Sequence, residues 1–150
     1  MHVATRRVEI AGIRRDPSEA WMLQLARNLT DAIDGFLLRM RYLILDRDPL
    51  YSRRFRDLLA SSGVKIVRLP RESPNLNAHA ERWIRSARRE VLDRVVIFGE
   101  AHLRRLLQGY VEHYTAERRP QGLDGAVIGP DPRAANRSGR VERRDRLGGL

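Results

Sequence analysis

The chain has 150 residues, enough for one domain with a sizeable buried core. Its 29 basic residues outnumber 19 acidic ones to give a formal net charge of +10, and nearly all of that excess is arginine, since Lys65 is the sole lysine. A balance of this sign points to a polyanionic partner. The absence of cysteine excludes a disulfide scaffold, thiolate zinc sites and a thiol nucleophile. No segment reaches the roughly 18 apolar residues that a membrane span requires, and Met1 is not followed by a leader-like apolar region. These features together predict a soluble, cytoplasmic protein with no membrane partner.

Arg7-Val8-Glu9-Ile10-Ala11-Gly12-Ile13 alternates apolar and polar side chains and predicts an edge strand. Asp16-Pro17-Ser18-Glu19 then supplies a cap-like start for a helix whose apolar positions run from Trp21 to Ile33, with Gly35 as its end. Arg41 to Leu45 is almost wholly apolar, as expected of a strand buried on both faces. Asp46 falls at its carboxyl end, where ligand sites collect in open α/β sheets. Ser52 to Ser61 reads as a helix with Phe55, Leu58 and Leu59 inward and Gly63 terminating it, and Val64 to Leu69 alternates as a strand.

Pro70 to Asn77 is a loop by composition. From Ala78 to Asp93 the period is helical, with Ala80, Ile84, Ala87 and Val91 on one stripe and Glu81, Arg85, Arg88 and Arg89 on another. A last helix, Gly99 to Glu117, carries Leu103, Leu106, Leu107, Tyr110, Val111 and Tyr114 at core spacing. From about Gly122 the composition predicts a poorly ordered tail.

Two acids stand out, Asp46 and Glu81, separated by a helix, a short strand and a Pro/Asn-rich loop. Each has an ordinary reading. An aspartate that ends a strand is most often a turn former, and a helix-surface glutamate most often pairs with a base four residues on, here Arg85. Hard divalent cations, however, prefer carboxylate oxygens, and phosphodiester cleavage needs charge stabilisation at both the attacking and the leaving oxygen.

The order of these elements and several local motifs resemble the catalytic core of DDE transposases and retroviral-type integrases, closest to bacterial insertion-sequence transposases. Leu45-Asp46-Arg47-Asp48 matches the strand-end motif around the second acid, and Pro74, Asn77, Ala78, Ala80 and Glu81 match the approach to the glutamate. His113 to Leu123 resembles the element after the last long helix, with Pro120 where relatives often have histidine. The resemblance covers about Thr5 to Leu123. It implies an α/β, ribonuclease-H-like mixed sheet with flanking helices, with residues 1–123 as a partial catalytic core and 124–150 as a basic tail.

The same resemblance implies metal-dependent cleavage and strand transfer for DNA integration, recombination and transposition of a mobile element. Asp46 and Glu81 would be catalytic and metal-holding, and Asn77, Arg85, Arg88 and Arg89 DNA-binding. Two Mg²⁺ or Mn²⁺ ions would be the cofactors, and transposon ends, target DNA and further copies of the chain the partners. The departure is at the front, where no aspartate precedes Asp16, so the first strand and its catalytic Asp are expected to be missing. The isolated chain is therefore expected to be inactive in strand transfer and prone to instability. The alternative is a non-catalytic, basic DNA-binding remnant of a transposase.

Overall fold

Ser18 sets the first helix: its Oγ accepts from the Trp21 N–H at 3.2 Å, and Glu19 places a negative charge on the helix's positive end. The computed structural model describes residues 1–70 and 77–116. Within them α1 spans Glu19–Leu29, β1 Tyr42–Leu45, α2 Arg53–Ser61, β2 Lys65–Arg68, α3 Ala78–Glu90 and α4 Gly99–Ala116, with a 3-10 turn at Leu92–Arg94. The chain divides into two compact units, one formed by Ala11–Ala78 and the other by Met1–Ile10 with the described residues from His79 on.

In the unit Ala11–Ala78, β1 and β2 pair in parallel with Tyr42 opposite Lys65 and Leu45 opposite Arg68, and α2 makes the crossover between them. Ser52 caps α2 by accepting from the Phe55 N–H at 3.2 Å. Gly63 leaves the helix at φ +86°, in the left-handed region where a side chain would be strained. Phe55 and Leu59 are fully buried among Met22, Ala26, Leu37, Leu45 and Val64. The apolar spacing of α1 and α2 thus does what periodicity predicts, turning one face of each helix onto a shared core.

Three expectations fail between Arg7 and Leu45. The first helix ends at Leu29, a turn short of Gly35: Thr30 caps it with its Oγ1 donating to the Ala26 carbonyl at 2.9 Å, and Asp31 Oδ1 accepts from the Ile33 N–H at 2.8 Å. Those side chains offer the backbone an alternative to the helix, and Ile33 is left 89% exposed. β1 is not buried on both faces. Leu45 is buried and Leu43 half-buried on the core side, but Tyr42 and Ile44 on the other face are 54% and 37% exposed. Nor do residues 7–13 form a strand. The Arg7 carbonyl accepts instead from the His2 N–H at 2.8 Å, closing a tight loop in which Arg6 stands at φ 60°, so sheet pairing has no rung there.

The second unit is built on α3 and α4. Ala87 and Val91 meet Leu106, Tyr110 and Tyr114, and Val8 joins them from the amino end. Trp83 lies with its ring centroid 6.0 Å from Tyr110 and 6.5 Å from Tyr114, the latter edge-on. Tyr110 Oη donates to Glu90 Oε2 at 3.0 Å, satisfying the hydroxyl of a nearly fully buried ring. The inward stripe of α3 is therefore Trp83, Ala87 and Val91 rather than one including Ile84, which is 51% exposed. The large indole takes the inward position and rotates the helix about its axis relative to the predicted stripe. The tail from Gly122, and most of the loop before α3, lie outside the described residues.

Candidate functional site

Asp46 follows β1 directly and is exposed, its Oδ1 accepting from the Asp48 N–H at 3.0 Å. Asp48 repeats the device, its Oδ1 accepting from the Leu50 N–H at 2.8 Å. Two consecutive Asx turns carry the chain off the sheet end toward α2, so the turn-forming reading of Asp46 is realised. Its Oδ2 is not engaged in that turn. Tyr51 lies beside both acids: burial first, then the Asp46 and Asp48 carboxylates, push its phenol above the ordinary tyrosine range. Arg47, between the two acids, reaches back to β2, its Nε donating to the Leu69 carbonyl at 2.9 Å.

Glu81 lies in the first turn of α3, exposed, on the same stripe as Arg85, Arg88 and Arg89, which are exposed as well. Among the described residues no ion pair joins Glu81 to Arg85, whereas Arg53 pairs with Asp57 and Arg54 with Glu19, both exposed. His79, two residues ahead of Glu81, is held below the usual imidazole range by desolvation first and then by the charges of Arg6 and Arg82. Asn77 stands just ahead of α3 and is half-buried. Asp46 and Asn77 fall in the unit Ala11–Ala78, and Glu81 and the three arginines in the other.

Among the described residues no three His, Asp or Glu side chains gather as a cation site would need. Among the described residues the carboxylates do not make up a complete set for a two-ion centre. What the exposed residues of α3 can do is present three guanidinium groups and one carboxylate along a single helical face.

The sequence match falls on this helix. Residues 62–127 match the integrase core domain family, a stretch that takes in β2, Asn77, Glu81, the three arginines and α4. That segment is similar to an integrase core. The match begins after Asp46 and runs across the division between the two units. Comparison with curated proteins and with solved structures gives no match. The retroviral-type integrase and transposase resemblance read from the motifs is thus supported over residues 62–127, which include Glu81 but not Asp46.

Sequence reasoning missed Trp83 as a core residue and the side-chain role of Arg47. A signal existed for Trp83, which stands four residues before Ala87 and eight before Val91. None existed for Arg47, whose partner is a backbone carbonyl 22 residues on. No helix of the described residues is long and apolar enough to cross a membrane.

Proposed function

We propose that this protein acts on DNA as the core of a transposase or integrase, with a ribonuclease-H-like fold, and that α3 is its principal DNA-facing element. The observation that carries the reading is the coincidence of the integrase core match with an exposed helical face bearing Glu81, Arg85, Arg88 and Arg89. The arginines would bind backbone phosphates without reading sequence, as the formal charge of +10 favours, and Asn77 would contact DNA ahead of them. Asp46 and Glu81 would supply carboxylates of the catalytic set, and copies of the chain would assemble on DNA ends. The chemistry of the family depends on Mg²⁺ or Mn²⁺, which when bound stabilises charge on the attacking and leaving oxygens of the phosphodiester.

Because these two acids are only part of the set that the family uses, the isolated chain binds DNA but does not complete strand transfer. The test is a strand-transfer assay on duplex DNA with Mg²⁺ or Mn²⁺, run beside a salt titration of binding. Salt-sensitive binding without product is expected; a cation-dependent product abolished by Asp46→Asn or Glu81→Gln would show the full chemistry instead. The second reading is a DNA-binding chain without catalysis, for which the formal charge of +10 suffices. It predicts binding indifferent both to the divalent cation and to Asp46→Asn.

A further inference from the structure

We infer that Arg47 is a positioning residue, whose side chain supplies the last rung of the β1–β2 pair so that Asp46 can leave the sheet while the sheet end stays closed. The inference rests on the reading of Asp46 as a functional acid. In a parallel pair, every second residue of one strand donates to one partner residue and accepts from the residue two further along that partner strand. Here the Leu69 N–H donates to the Leu45 carbonyl at 2.9 Å, so the next rung would run from the Arg47 backbone N–H to the Leu69 carbonyl. That carbonyl receives the Arg47 side chain instead, from Nε at 2.9 Å. A guanidinium nitrogen thus stands where a backbone amide would, and the rung is kept by a side chain.

The substitution has a consequence for Asp46. Were the backbone of Arg47 to make the rung, β1 would continue by two residues, Asp46 would be held in the pleat, and the turn that its Oδ1 makes with the Asp48 N–H would not form. With Nε making the rung, Asp46 is freed into the turn while Leu69, the last residue before Pro70, remains tied to β1 on both its N–H and its C=O. Asp46 is thereby anchored from both sides: Leu45 is pinned through its carbonyl and Arg47 through its side chain. Lysine could donate to the same carbonyl with its ammonium, whereas a residue without a donor could not.

Amide exchange by NMR on the full chain tests this, because two N–H groups report the two halves of the device. In Arg47→Leu, exchange should rise about fivefold at Leu69 and at Asp48, the size expected for loss of one exposed hydrogen bond. The Lys65 N–H, which donates to the Arg41 carbonyl at the far end of the pair, should not change. Arg47→Lys should restore both reporters. As a control, Asp46→Ala should raise exchange at Asp48 while leaving Leu69 as it is. Unchanged exchange at Leu69 and Asp48 in Arg47→Leu, or an equal rise there and at Lys65 and Phe55, would overturn the proposal, the second by showing a general loss of stability. None of these readouts requires Asp46 to be catalytic; that reading fails separately, if Asp46→Asn leaves Mn²⁺ binding by the chain unaltered.

Discussion

At the scale of single residues, the polar side chains beside the elements decide where those elements stop. Ser18 and Ser52 cap their helices through the same Oγ-to-N–H contact; the first start was legible from its cap-like run and the second from the apolar spacing that follows it. Ser52→Ala should lower stability by about 1 kcal/mol in a denaturant titration. Gly63→Ala meets no neighbour with its added Cβ yet must adopt φ +86°, so it should cost roughly 1–2 kcal/mol by strain alone. The end of α1 was not legible, since Thr30 and Asp31 interrupt a pattern that hydrophobic spacing extends to Ile33. His79 adds a pH dependence. Its folded-state value lies below that of the unfolded chain, so the unfolded state takes up the proton first as pH falls. The stability tied to neutral His79 is therefore complete above the ordinary imidazole value of 6.5 and is lost as pH drops through and below it. Melts at neutral and mildly acidic pH should show a shallower acid-side decline for His79→Gln than for the unaltered chain.

At the scale of elements, β1, α2 and β2 form where an apolar run, a helical period and an alternation predict them in turn, because each is short and bounded by a strong turn signal. The segment before α1 shows what a period-two pattern leaves out. Alternation from Arg7 to Ile13 supplies a strand's side chains but no neighbour, and without one the Arg7 carbonyl pairs locally with His2. On α3, Trp83 sets the inward face and leaves the arginines outward, so the polar stripe was readable although its apolar counterpart was misplaced by Ile84. Two measurements belong here. Tyr110→Phe removes the bond to Glu90 and should cost about 1 kcal/mol, seen as a lowered melting temperature. Arg85→Ala, Arg88→Ala and Arg89→Ala should each weaken duplex binding about equally across sequences and lower the salt slope by about 1, if each meets one phosphate.

At the scale of the whole molecule, each unit has its own apolar cluster: Phe55 and Leu59 centre one, Tyr110 and Val91 the other. Leu59→Ala opens a cavity at a fully buried position and should destabilise the unit Ala11–Ala78 by about 2–5 kcal/mol, read from amide exchange at Ala26 and Phe55. Of the two passages between the units, the one at Ala78 follows the Pro/Asn-rich run Pro70 to Asn77, whereas the one at Ile10 carries no comparable signal in composition. The excess of arginine is a property of the entire chain, and it forecasts DNA affinity that falls steeply with ionic strength.

Val8 is buried against Ala87, Val91, Leu106, Tyr110 and Tyr114, so a residue ahead of α1 finds its partners in and around α3 and α4, after the whole unit Ala11–Ala78 has intervened. During synthesis the residues 11–78 can therefore collapse on their own while Val8 waits, and the second core closes only after α4 has left the ribosome. The delay costs little in loop-closure entropy, which grows only with the logarithm of the intervening length. It does leave an apolar residue exposed for the time needed to make about one hundred more, several seconds or longer at ordinary elongation rates.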